Sequence, residues 1–347
     1  MANAHAFLAN LTLVLCVAAL TTVVFQRIRQ PVVFGYLVAG MIIGPYVGVP
    51  LFADRSMVTT LSELGVILLM FGLGLEFSLR KLAAVAPTVG LIALVDTSAM
   101  FGFGYVSGQL LGWTALESVF AGAIVAISST TIIVKAFAEQ GVKGRVTELV
   151  YGILIFEDLI AILLIAMLTT IASGAGLSAG AVAATAGKLV LFLALFVGVG
   201  LAVVPRIVRM VVALDRPETT LVVSLGLCFG GALLALDAGY SVALGAFIVG
   251  SLVAESGEGS RVEHLVVGVR DMFGAVFFVA VGMMIDPRLV AEHWVAVVVL
   301  SVVVVTGKLL AVSVGAFLSG NDVRTSIQAG MSLTQIGEFA FIIAAVG

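Results

Sequence analysis

The sequence predicts an all-α polytopic membrane protein, built as an inverted repeat with one interrupted helix in each half. Three observations lead there. The 347 residues are 61% hydrophobic and 11% charged, with a mean hydropathy of +1.25. The apolar residues fall into runs of about 20, the length an α-helix needs to cross a bilayer. Short sequence matches then recur at corresponding places in the two halves of the chain. A soluble domain of this size needs a charged surface, which 17 Lys and Arg and 20 Asp and Glu, mostly bunched between apolar runs, do not supply.

Punctuation by Pro, Gly and charge places twelve spans at 7–25, 31–48, 57–76, 87–112, 115–138, 146–173, 180–204, 217–238, 240–256, 268–285, 291–319 and 323–347. No basic residue precedes the first run, so it lacks the n-region of a secretory signal and is read as a retained span. Basic residues mark cytoplasmic loops. One set of alternate loops and helix ends holds Arg27, Arg29, Arg80, Lys81, Lys135, Lys143, Arg145, Arg206, Arg209, Arg216, Arg261, Arg270 and Arg324, and the other only Arg55, Lys188 and Arg288. That asymmetry places the N-terminus outside.

The repeat is visible in two places. The second span reads GYLVAG over 35–40 and the ninth GAFIVG over 245–250, and Glu63, Gly74 and Arg80 recur at the same mutual spacing as Asp271, Gly282 and Arg288. An odd shift in span number inverts the second copy, as transporters built from inverted halves require. The halves are approximately 7–173 and 217–347, linked by span 180–204, and completing the second predicts a thirteenth span after residue 347.

Glu157 and Asp158 lie near the middle of the sixth span. An ionisable side chain at bilayer depth costs roughly 2.5–3.5 kcal/mol on insertion scales, so an adjacent acidic pair points to cation or proton movement. The two are about 100° apart around the helix and cannot serve one spot equally. Lys308, inside the eleventh span, needs a partner, and Asp158 or Glu157 are the expected ones. A permanent structural salt bridge is the alternative to a pair that opens when a cation or proton binds.

The fifth span carries Ser128, Ser129, Thr130 and Thr131, and the twelfth carries Ser332, Thr334, Gln335 and Gly337. Unwound backbone at membrane depth survives only when buried in protein or lining a cavity, so these are candidate broken helices lining the substrate site. The alternative is a continuous helix whose hydroxyls bond back to the preceding turn. Asp96 and Glu338 are further candidates for a pathway, or satisfy local hydroxyls and helix ends. Glu63, Glu76, Glu255, Asp271 and Asp286 lie near span ends, where orientation and packing explain them. Cys16 and Cys228 lie in separate apolar runs as packing residues, and His5, His264 and His293 have no second ligand at metal spacing.

These residues resemble the Kef-type branch of the monovalent cation:proton antiporter-2 family over nearly the whole chain. The matching segments are 35–40 (GYLVAG), 64–77 (LGVILLMFGLGLEF), 126–135 (AISSTTIIVK), 156–159 (FEDL), 243–256 (ALGAFIVGSLVAES), 277–286 (FFVAVGMMID) and 332–339 (SLTQIGEF). The resemblance implies a thirteen-span cation/proton antiporter fold with crossed fifth and twelfth helices, a six-helix core moving against a dimerising scaffold, and a bacterial inner-membrane location. It implies exchange of K+ or Na+ for protons, with Asp158 matching the family's ion-binding aspartate and Lys308 its basic residue.

Two departures stand out. Glu157 occupies a position that is often Gln in potassium-efflux members, and this second carboxylate either carries another proton or stays permanently paired. The cytoplasmic nucleotide-binding regulatory domain common in such members is absent from these 347 residues, which hold no Gly-rich phosphate loop after a strand. No cofactor and no nucleic-acid partner are expected. A ligand-gated cation channel lacks a carbonyl-type filter loop here, a sodium-coupled solute symporter would need solute-dependent sodium uptake, and an intramembrane hydrolase lacks a deep His as base.

Overall fold

The computed structural model describes residues 2–46, 55–76, 79–130, 132–133, 136–137, 141–142, 144–172, 179–337 and 339–346. Among the described residues the regular structure is helical: α1 (Ala2–Arg27), α2 (Val32–Ile43), α3 (Arg55–Glu76), α4 (Leu79–Leu110), α5 (Ala115–Ala126), α6 (Arg145–Ala172), α7 (Ala179–Val212) and α8 (Pro217–Asp237). There follow α9 (Val242–Val253), a π-helical turn (Ala254–Glu258), α10 (Gly259–Met284), α11 (Pro287–Glu292), α12 (Trp294–Leu318), α13 (Val323–Ser332) and α14 (Phe339–Val346).

Seven helical stretches among the described residues are long and apolar enough to cross a membrane, and three shorter apolar helices accompany them. Several boundaries differ from the sequence reading, among them the start of α4 at Leu79 and the end of α7 at Val212. The ninth and tenth spans form one apolar stretch, Val242–Met284, folded at Gly257, whose φ of 84° suits glycine. The tenth span begins at Gly259 rather than 268: Arg261 and His264 stand exposed on the helix, while Val262 and Val266 are buried. Charge spacing on a helix face looks like a loop when only runs of apolar residues are counted.

The chain divides into two compact units, Met1–Leu79 with Leu193–Glu292, and Arg80–Phe192 with His293–Gly347. In the first unit, glycines let helix backbones touch. A Cβ on Gly40 of α2 would lie 2.0 Å from Val279 O, and one on Gly282 of α10 would lie 2.2 Å from Leu37 O. A Cβ on Gly74 of α3 would lie 2.2 Å from Phe247 O, and one on Gly250 of α9 would lie 2.3 Å from Phe71 O. So Gly40 meets Gly282 and Gly74 meets Gly250. Val14, Ala18, Ile43, Val276 and Met283 pack in the apolar core of the α2–α10 side.

Gly72 gives a contrast, since the nearest atoms its Cβ would meet belong to the Arg270 side chain, with Cδ at 2.4 Å. Gly74→Ala should lower thermal stability by about 1–3 kcal/mol or more, because a carbonyl oxygen of a packed helix cannot step aside. Gly72→Ala should cost about 1 kcal/mol or less, because the Arg270 side chain can swing. Thermal unfolding of the two detergent-solubilised variants checks the difference.

In the second unit, two corners share one set of bonds. At the α4–α5 corner Gly112 (φ 81°) donates to Gln109 O, Trp113 N–H to Gly108 O and Ser118 Oγ to Thr114 O. At the α12–α13 corner Gly320 (φ 85°) donates to Phe317 O, Asn321 N–H to Ala316 O and Ser326 Oγ to Asp322 O. Each residue in the second corner stands at the same sequence shift from its equivalent as Asp271 stands from Glu63. Behind the second corner, Val89, Ile92, Ile153, Leu154, Val312 and Leu333 form the apolar core.

Asp322, in the loop between α12 and α13, caps α13 by accepting the Thr325 N–H at 3.0 Å. That backbone bond, with the Thr325 side chain and the charge of Arg145, holds its carboxyl below the usual carboxylate range. The cap's contribution is therefore present above the unfolded carboxyl's ordinary value and is lost as pH falls through the lowered one. Thermal unfolding scanned towards acid should show this loss in the parent protein and a smaller one in Asp322→Asn.

Candidate functional site

The site is assembled within the second unit, from two places where the chain leaves helix. α5 ends at Ala126, Ile127 is extended (φ −109°, ψ 127°), and residues 127–129 are non-helical before Thr130 resumes. α13 ends at Ser332 and α14 begins at Phe339, with 333–337 non-helical between them. These segments touch. Gly337 N–H donates to Ile127 O at 2.8 Å, Ser128 Oγ to Leu333 O at 3.2 Å, and the Gln335 side-chain amide to Ser129 O at 3.3 Å. A Cβ at Gly337 would sit 2.4 Å from Ser128 O, so the approach requires glycine. Ser129 Oγ accepts the Ile132 N–H at 3.2 Å, capping the turn that follows the break.

Glu157 and Asp158 of α6 lie against this crossing, both buried, and their angular separation sends them to different partners. Glu157 Oε2 accepts the Ser128 N–H at 2.6 Å. Asp158 Oδ2 accepts from Thr130 Oγ1 at 2.8 Å. Lys308 of α12, 0% exposed, donates to Asp96 Oδ2 of α4 at 2.6 Å and to Ala126 O at 2.7 Å, and its ammonium lies 3.3 Å from Glu157 Oε2.

The expected partner of Lys308 was Asp158 or Glu157. Glu157 is one partner, but the nearer one is Asp96, which the sequence suggested only as a pathway or local group. The reason is helix geometry: α4 and α12 bring Asp96 and Lys308 together across 212 positions, while Asp158 points round α6 to Thr130. A charge balance could have flagged Asp96, the lone carboxylate of its span. Thr334 bonds back to Met331 O at 3.1 Å. Thr131 and Glu338 lie outside the described residues.

The electrostatics follow the helix ends. Lys308 places positive charge on the last carbonyl of α5, where the helix dipole is negative, and Glu157 places negative charge on the Ser128 N–H within the break. Asp96 Oδ1 and Glu157 Oε1 are buried and accept no protein hydrogen bond, and the two carboxyls also face each other.

The transmembrane sodium/hydrogen exchanger family matches residues 12–347. K(+) efflux antiporter 5 of Arabidopsis thaliana is 33% identical over 349 residues, covering 97% of this chain and 60% of the relative. The Na(+)/H(+)-K(+) antiporter GerN of Bacillus cereus is 31% identical over 343 residues, covering 98% of this chain and 88% of GerN. The solved sodium proton antiporter MjNhaP1 from Methanocaldococcus jannaschii aligns with a TM-score of 0.76 at 17% identity, over 99% of this chain and 86% of that one, a likeness of fold. The chain thus spans about three fifths of the plant relative's length.

Proposed function

Because the chain belongs to the transmembrane sodium/hydrogen exchanger family, we propose that it is a secondary antiporter exchanging K+ or Na+ for protons, with Asp158 as the site that cation and proton share. The observation that carries this reading is the placement of Asp158: 1% exposed, next to a crossing of two non-helical segments, and bonded to a hydroxyl. Carbonyls at such a break lack a helical partner, and one that is hydrogen-bonded still has a second lone pair that can replace part of a cation's hydration shell.

Alternating access is supported by the doubled architecture. The sequence repeat equates Gly40 with Gly250 and Gly74 with Gly282, and the contacts Gly40–Gly282 and Gly74–Gly250 exchange under that equivalence. The two corners at Gly112 and Gly320 are equivalent at the matching shift. Two copies in opposite orientation can exchange conformations, which opens a central site to either side in turn. The reading includes insertion in a bacterial inner membrane with the N-terminus outside, a homodimer, and no resident cofactor beside the transported ions.

Reconstituted protein tests it. A K+ or Na+ gradient across proteoliposomes should drive opposed proton movement, followed by an internal pH dye. Cation flux without proton movement would replace the antiporter by a channel, and proton-independent sodium uptake that needs an organic solute would replace it by a symporter.

A further inference from the structure

The antiport reading leaves the second carboxylate without a role. We infer that Glu157 is a fixed counter-ion that holds the interrupted helix, so that each cycle exchanges one cation for one proton at Asp158 and moves no net charge. This rests on the antiport reading of the same site.

The distinction lies in what the two carboxylates bond to. Glu157 Oε2 faces the Ser128 N–H at 2.6 Å and the Lys308 ammonium at 3.3 Å. Both are donors without a lone pair, so neither can turn to ligate a cation or accept a proton at Oε2. Asp158 bonds to Thr130 Oγ1 at 2.8 Å. A hydroxyl offers its hydrogen to an empty carboxylate and its lone pairs to a bound cation or a protonated acid, so this partner suits each loading state in turn.

Glu157 is also committed structurally. Where the break begins, Lys308 on Ala126 O at 2.7 Å and Glu157 on the Ser128 N–H place one charge on each side of Ile127. Discharging Glu157 once per cycle would weaken that arrangement at every turnover. The charged groups facing Glu157 are Lys308 from α12 and Asp96 from α4, and Asp96 is itself tied to Lys308 at 2.6 Å. Glu157 Oε1, which accepts no protein hydrogen bond, is where a second transported proton would have to ride.

The test is the null condition of the unmodified protein in proteoliposomes, with voltage imposed by a permeant anion. One-for-one exchange predicts that a tenfold cation gradient is balanced by a tenfold proton gradient of the same orientation, unchanged by voltage. A null that moves with voltage, or that needs a smaller proton gradient, overturns the assignment while leaving antiport intact. Absence of any cation-dependent proton movement defeats the antiport reading itself. Glu157→Gln keeps a carbonyl acceptor for Ser128 and should run more slowly at the same null. A null displaced by that substitution would make Glu157 a transported-proton site.

Discussion

Asp158→Asn should abolish cation-driven proton movement in proteoliposomes, lowering the rate by about a hundredfold or more, since the proton then has no carboxylate to ride on. The amide keeps the volume of the side chain and an oxygen for Thr130 Oγ1, so the fold should stay within about 1 kcal/mol of the parent. Thermal unfolding in detergent separates the two effects. A variant that unfolds early would make Asp158 a structural residue, and one that still exchanges would remove it from the transport site.

Lys308→Met should do the reverse and strike stability first. It leaves Asp96 and Glu157 buried without their ammonium, and Ala126 O without its donor. Removing one member of a buried ion pair costs about 3–5 kcal/mol, because the remaining charge stays desolvated and uncompensated. Adding Asp96→Leu should recover part of the loss by replacing the polar pair with packing. If the single variant unfolds like the parent, Lys308 is not a structural ion-pair partner.

Much of this architecture is legible in the residues themselves, because a bilayer demands long apolar runs and penalises every exception. Glu157, Asp158 and Lys308 stand out as exceptions, and the cluster of Ser128, Ser129 and Thr130 marks where α5 stops. What residue types do not carry is azimuth. Neighbouring Glu157 and Asp158 look interchangeable in a string of letters, yet one reaches Ser128 N–H and Lys308 and the other Thr130. The Asp96–Lys308 bond is hidden for the same reason, since it depends on how α4 and α12 pack. The start of α10 is hidden in the letters because Arg261 and His264 lie exposed on a helix rather than in a loop.

The bond between Lys308 and Asp96 also sets an order of assembly. A ribosome delivers Asp96 and Glu157 long before Lys308 has been made, so both acids enter the bilayer without the base that will answer them. Their unmet charge favours neither leaving the membrane nor settling in it, and a nascent protein halted before α12 should remain loosely packed and open to proteases. Arrival of α12 then supplies the base that both acids lack.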